Sequence, residues 1–275
     1  MGVGIAEVLA RANLTTLVCD ASTQALSSGQ ERLQRSLQRA LDRGKLEASQ
    51  FQQIQGLVSF RQDSAGSFDL VVEAVSEDLA LKKQILGELA ERLPQALIAS
   101  NTSSLSLTEM ASACIRPERV LGLHFFNPPP VMQLLEVVRA EQTSQECLDR
   151  ALELARRLGK TPIVVRDVAG FASSRLGIIL GLEAMRMVES GVASAADIDR
   201  AMELGYRHPM GPLKLTDLVG LDVRLAIAEH LSKEIGPQFS PPPLLRRMVR
   251  AGRLGKKTGQ GFYLWQGDQA LEVPS

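Results

Sequence analysis

At 275 residues, 45% hydrophobic and 23% charged, the chain is long enough for one large globular domain or two moderate ones. Its 31 basic and 31 acidic residues cancel, so nothing in the net charge points to nucleic acid or an anionic membrane surface, and an anionic ligand has to be caught by local groups. Cys19, Cys114 and Cys147 are odd in number and widely spaced, which argues against a disulfide framework or a zinc site and for a reducing cytoplasm, and neither a membrane span nor a signal peptide is readable.

The opening "GVGIAEVLARAN" carries Ile5, Val8, Leu9 and Ala12 at helical spacing, and "LTTLVCD" then reads as a short strand ending on Asp20. "LSSGQERLQRSLQRALDRG" places Leu26, Leu33, Leu37 and Leu41 on one helical face, with Gly44 as a C-terminal cap. Short apolar runs follow, "LVSF", "DLVVEAV", "ALIAS" and "VLGLHFF", of the kind that forms buried parallel strands. Between them "EDLALKKQILGELAERL" has helical spacing, as does "SQECLDRALELARRLG" before Gly159, while "LLEVV" and "PIVV" supply two further strands. Strands alternating with helices predict an α/β fold, a Rossmann-type, mostly parallel sheet covered on both faces.

After Asp167 strand-like runs vanish until the C-terminal "GFYLW", which sets a domain boundary between residues 1–167 and 168–275, the second domain being all-α. Its helices are read as "FASSRLGIILGLEAMRMVESG", "SAADIDRAMELG" and one long helix over "GPLKLTDLVGLDVRLAIAEHLSKEIG".

Asp20, at the carboxyl end of a strand, is where a dinucleotide fold places an acid on the adenosine ribose, although a strand-ending Asp also serves as a simple turn residue. Ala21 and Ser22 follow it with no arginine to hold a ribose phosphate, which favours NAD over NADP. The glycine fingerprint of such folds needs a strand and two glycines ahead of the first helix, and only Gly2 fits as its last glycine. The expectation is that a strand and turn, about a dozen residues, lie upstream of Met1, and that without them the neighbouring strands keep exposed flanks.

"ASNTSSLSL" follows a strand and precedes a helix, which puts Asn101, Ser103 and Ser104 at the carboxyl edge of the sheet; Ser103 serves equally well as the cap of a helix from 105. His124 and Glu136 lie in two strand-like runs joined by "NPPPVMQ", whose prolines can return the second run close to the first. A carboxylate on one ring nitrogen fixes the tautomer and raises the basicity of the other, the arrangement of a general base, though a buried structural His–Glu pair has the same spacing.

Taken together, "SNTSSLS", "GLHFFNPPPVMQLLEVV", "GFASSR", "HPMGP" and "GKKTGQGFY" occur in the order of the 3-hydroxyacyl-CoA dehydrogenase family, which the chain resembles over nearly its whole length apart from the first strand and first two fingerprint glycines. The resemblance implies that His124 is the general base, that Glu136 orients it, and that Ser103 binds the substrate hydroxyl. It implies NAD contacts at Gly2, Asp20, Glu77, Lys82, Asn101, Ser103, Asn127 and Lys257, and CoA contacts at Ser36 and Arg43, the last of which also reads as a solvated helix-end cation. Ser174 stands where the family pattern "GFxxNR" has asparagine; a serine there exchanges a direct contact for a water-mediated one, at a cost of roughly 1 kcal/mol.

The reaction so implied is (S)-3-hydroxyacyl-CoA plus NAD to 3-oxoacyl-CoA, NADH and a proton, in a cytoplasmic homodimer assembled through the C-terminal domain, with no metal, nucleic acid or membrane partner. Two alternatives share the residues: a dehydrogenase of a free hydroxy acid such as gulonate, and a non-catalytic protein of the same fold without its phosphate turn.

Overall fold

The computed structural model describes residues 1–273. It divides into two compact units, Met1–Asp167 and a second that begins at Val168.

In the first unit the predicted alternation of helix and strand is realised. Helix α1 (Gly2–Arg11) buries Ile5, Val8 and Leu9, leads into β1 (Thr16–Cys19), and is followed by α2 (Thr23–Asp42), which Ser22 caps by accepting from Ala25 N at 3.2 Å. A helix that the apolar pattern does not reveal comes next, α3 (Ala48–Leu57), with four glutamines in its ten residues. Phe51 and Ile54, three apart, fasten it to Leu33, Leu37 and Ala10.

Strand β2 (Val58–Arg61) pairs in parallel with β1 in a two-stranded sheet. Five strands form a second sheet in the order β3 (Leu70–Glu73), β4 (Leu97–Ser100), β5 (Val120–Phe125), β6 (Leu134–Arg139) and β7 (Thr161–Arg166). All its pairings are parallel except β5 with β6. Between β3 and β4 runs α4 (Leu79–Arg92), before β5 the short α5 (Leu107–Ala111), and between β6 and β7 α6 (Gln145–Arg157). Strands β4 and β5 are buried throughout, whereas Leu17 and Val18 of β1 and Leu70, Val71 and Val72 of β3 remain half-exposed. Among the described residues each of β1 and β3 has a single hydrogen-bonded neighbour, so each leaves one edge unpaired there.

The core of the five-stranded sheet explains where its polar side chains go. Leu121, Leu123 and Phe125 of β5 and Leu135 and Val137 of β6 point to one face and pack with α1 and α6. Because side chains alternate along a strand, the intervening His124 and Glu136 stand on the opposite face. Gly122 and Val138 are paired on that same face, where a Cβ on the glycine would come within 2.8 Å of Val138 Cβ, so only glycine allows the two strands their spacing there.

The second unit is helical and ends in a hairpin. Its helices are α7 (Ser173–Glu189), α8 (Ala195–Gly205), α9 (Pro212–Val219), α10 (Leu221–Glu234) and α11 (Pro243–Arg250), and the hairpin joins β8 (Tyr263–Gln266) to β9 (Gln269–Glu272). The single long helix expected from residue 211 is two, broken at Gly220, whose φ of 103° suits glycine and no other residue well. Ile178, Leu182, Met185, Leu213, Leu221 and Leu231 are central to its core.

Candidate active site

The antiparallel register of β5 and β6 makes His124 and Glu136 direct partners across the ladder. Their side chains share a face and meet, His124 Nδ1 lying 2.6 Å from Glu136 Oε2. An ionised carboxylate only accepts, so Nδ1 carries the hydrogen, and the neutral ring then has its basic lone pair on Nε2. Glu136 is 0% exposed and His124 7%, so water does not screen the pair. The His124 ring also lies against Phe126 in a tilted contact, centroids 4.6 Å apart.

The chain between the two strands is held by a lysine from elsewhere. Lys160, in the turn between α6 and β7, donates through Nζ to Pro129 O at 2.6 Å and to Met132 O at 2.7 Å. Burial lowers its pKa from the ordinary lysine value, with the charge of Arg11 adding to the effect. The segment so clamped includes Asn127, exposed just beyond β5. Pro129 also abuts α1 closely, since a Cβ on Gly4 would fall 2.8 Å from its Cδ.

At the carboxyl ends of β3 and β4 a second constellation forms. Asn101 donates its backbone N–H to Glu73 O at 2.8 Å and accepts through Oδ1 from Phe125 N at 2.9 Å, tying the end of β4 to the residue after His124. Ser103 does not cap a helix: α5 starts at Leu107 and Ser106 is its cap, accepting from Glu109 N at 3.2 Å. Ser103 instead turns to Glu77, whose Oε1 accepts from Ser103 N at 2.9 Å, from Ser103 Oγ at 3.3 Å and from Thr102 Oγ1 at 2.6 Å. Burial pushes the Glu77 carboxyl up, but those hydrogen bonds and the charge of Lys82 outweigh it and leave the pKa below the ordinary glutamate value.

Lys82 is 1% exposed, and its Nζ reaches Glu73 Oε1 at 2.8 Å, Val75 O at 3.2 Å and Glu77 Oε2 at 3.4 Å. Glu73 was not singled out from the sequence, yet it is the hub of this cluster. Its one sequence signal is a carboxylate closing an otherwise apolar strand, "LVVE".

The remaining candidates sit as follows. Gly2 opens α1, and Asp20 lies exposed past β1, its Oδ1 accepting from Ser22 N at 2.9 Å in an Asx-type turn. Ser36 lies within α2 and Arg43 at its C-cap, exposed. Ser174 and Lys257 belong to the second unit, the former in the first turn of α7, the latter bound to Asp222 through both carboxylate oxygens at 2.5 and 2.6 Å. Among the described residues no group of three or more His, Cys, Asp or Glu side chains is placed to hold a metal ion. No described helix is long and apolar enough to cross a membrane.

Two of the motif strings in the second unit each contain a glycine that makes room for a buried carboxylate. Asp199 accepts from Leu213 N and Lys214 N, both at 2.8 Å, and from Tyr263 OH at 2.7 Å, and a Cβ on Gly211 would fall 2.2 Å from its side chain. Asp217 accepts from Phe262 N, Tyr263 N and Trp265 Nε1 at 2.9, 3.0 and 2.9 Å, and Gly261 leaves the space it needs. Thus "HPMGP" and "GKKTGQGFY" fasten α8, α9 and the hairpin to one another.

Comparison with known proteins gives one consistent result. A family model described as 3-hydroxyacyl-CoA dehydrogenase, NAD binding domain, matches residues 1–168, and its C-terminal domain counterpart matches residues 170–265. A 3-hydroxybutyryl-CoA dehydrogenase of Mycobacterium tuberculosis is 45% identical over 271 residues, 96% of this chain and 95% of that protein. A probable 3-hydroxybutyryl-CoA dehydrogenase of Bacillus subtilis is 42% identical over 268 residues, covering 96% of this chain and 93% of its own. Among solved structures, the (S)-3-hydroxybutyryl-CoA dehydrogenase PaaH1 of Ralstonia eutropha superposes with a TM-score of 0.91 at 37% identity, over 97% of this chain and 95% of that one.

Proposed function

The chain belongs to the 3-hydroxyacyl-CoA dehydrogenase family, and from that premise we propose that His124 and Glu136 drive its reaction, with a short-chain (S)-3-hydroxyacyl-CoA such as 3-hydroxybutyryl-CoA as substrate. The chain is an NAD-dependent oxidoreductase that converts a 3-hydroxyacyl-CoA to the 3-oxoacyl-CoA. The observation that carries the assignment of roles is the buried 2.6 Å contact between Nδ1 and Oε2.

His124 takes the substrate hydroxyl proton at Nε2, because Nδ1 is committed to Glu136. Glu136 stabilises the positive charge that then builds on the ring, at a distance where water does not intervene. Ser103, fixed by Glu77, holds the substrate oxygen, and Ser36 with Arg43 receives the CoA moiety. When bound, NAD supplies the hydride acceptor. The residues of the first unit fit it: Asp20 offers a carboxylate at the end of β1, Glu77, Asn101 and Ser103 cluster at the ends of parallel strands, and Gly2 puts no side chain over the first turn of α1, where its Cβ would meet nothing nearer than Ala74 Cβ at 3.9 Å.

The assembly we propose is a homodimer through the helical unit. In support, Leu176 and Leu180 on α7, Leu218 and Val219 on α9 and Val223 on α10 stand exposed there. A cytoplasmic location is supported by three free cysteines.

The test is an initial-rate assay of NADH formation with (S)-3-hydroxybutyryl-CoA and with free 3-hydroxybutyrate. The thioester is turned over, the free acid is not, and Arg43→Ala raises KM for the thioester with kcat little changed. Equal turnover of the free acid, unaffected by Arg43→Ala, refutes the CoA reading in favour of a hydroxy-acid dehydrogenase. Fluorescence titration with NADH decides the non-catalytic alternative: saturable binding excludes it.

A further inference from the structure

Glu73 is 4% exposed at the carboxyl end of β3 and accepts three hydrogen bonds from inside the fold. Oε1 accepts from Lys82 Nζ at 2.8 Å and Val75 N at 2.6 Å, and Oε2 accepts from Ser100 Oγ at 2.6 Å. From there two short routes lead to Ser103. Lys82 reaches Glu77 at 3.4 Å, and Glu77 receives Ser103 N; Ser100 Oγ accepts from Thr102 N at 3.2 Å, one residue before Ser103.

Such a cluster is hard to explain by stability. Burying a lysine and a carboxylate costs desolvation that their attraction only roughly repays, and an apolar pair of similar volume would hold the strand at least as well. What an apolar pair could not do is orient Glu77. That side chain is 38% exposed, and unaided it would sample several rotamers; with Lys82 on one oxygen and Thr102 and Ser103 on the other it keeps one.

We propose that Glu73 is a positioning residue for Ser103, acting through Lys82 and Glu77 on one side and Ser100 and Thr102 on the other; the inference rests on the reading of Ser103 as the residue that holds the substrate oxygen. Neutralising Glu73 leaves the Lys82 charge to Glu77 alone. Glu77 then closes on Lys82 and gives up Ser103 and Thr102, so the serine loses its place.

The experiment is a mutant cycle on Glu73→Gln and Ser103→Ala in the full chain. Affinity for acetoacetyl-CoA is measured by calorimetry without NAD, and kcat and KM with it. Each single variant weakens acetoacetyl-CoA binding about tenfold and lowers kcat/KM at least as much, while the double variant is within about twofold of the weaker single. Glu73→Asp, which keeps the charge, recovers part of the loss. A general loss of packing would instead multiply with Ser103→Ala, and that result, or wild-type affinity in a folded Glu73→Gln chain, overturns the proposal. Wild-type behaviour of Ser103→Ala alone overturns the reading of Ser103 first, which separates the two failures. Because removing one partner of a buried ion pair can unfold a chain, Ser100→Ala is run in the same cycle. It loses one bond to Glu73 and weakens binding about threefold, again only when Ser103 is present; independence from Ser103 refutes the proposal there too.

Discussion

Glu136→Gln is the substitution that bears most directly on the proposed chemistry, because it keeps the shape of a fully buried side chain and removes only its charge. The Nδ1–Oε2 contact is 2.6 Å, so the two charge centres are about 4 Å apart when the ring is protonated, and their attraction is about 4 kcal/mol at an effective dielectric constant near 20. Glutamine still offers a neutral hydrogen bond worth about 1 kcal/mol, leaving a net loss near 3 kcal/mol. At 1.36 kcal/mol per decade, kcat falls by roughly two orders of magnitude. The ring is charged only once it has taken the proton, so the loss belongs to the transition state, and KM for the thioester changes little. Initial rates at saturating NAD measure both constants, with a urea melt to confirm that the variant folds. A folded variant that keeps kcat within about fivefold of the parent, or that loses only in KM, would refute the argument that Glu136 serves by stabilising charge on His124.

Lys160→Met removes both bonds that clamp the proline turn, and a loss of about 2 kcal/mol in stability, seen in the urea midpoint, is expected with a fall in kcat/KM; an unchanged midpoint would contradict the clamp. Gly261→Ala drives a Cβ to 2.1 Å from Asp217 Oδ1, which no rotamer of a carboxylate held by three donors relieves, so a loss of at least about 3 kcal/mol or failure to accumulate folded protein is expected. Burial pushes the thiols of Cys114 and Cys147 up to about 11, whereas Cys19, though also raised by partial burial, is exposed. Iodoacetamide at mildly alkaline pH therefore labels Cys19 in the folded chain and reaches the other two only after denaturation, which mass spectrometry of the peptides reads directly.

How far the fold was legible depended on whether an element is fixed by its own pattern or by its neighbours. Helices α2, α4 and α6 carry long apolar faces and were readable, as were β4 and β5, which are buried throughout and, His124 apart, apolar or small. Helix α3 has two buried anchors, Phe51 and Ile54, in a glutamine-rich stretch, and its stability comes from the α1 and α2 residues beneath it. The α9–α10 break is hidden in the sequence because apolar spacing runs through Gly220, and only the backbone conformation reveals that the axis ends there.

The site divides along the same line. His124 and Glu136 are twelve residues apart in two adjacent strands, so a turn and a register suffice to bring them together, and both can be read from one local stretch. Glu73 and Lys160 could not be, since each acquires its meaning from residues it meets only in the folded chain: Ser100 lies twenty-seven positions from Glu73, and Pro129 thirty-one from Lys160. The glycines of "HPMGP" and "GKKTGQGFY" show the converse. They serve as signatures of the family, yet the physical demand on Gly211 and Gly261 is the room for Asp199 and Asp217, carboxylates whose distance in sequence hides the contact. A motif therefore marks where substitution is intolerable without saying whether chemistry or packing makes it so. The distinction appears only when each side chain's partners are counted: those of Asp199 and Asp217 are backbone N–H groups, the Tyr263 hydroxyl and the Trp265 indole, which close a core, whereas those of Glu77 end on a serine at the edge of the sheet.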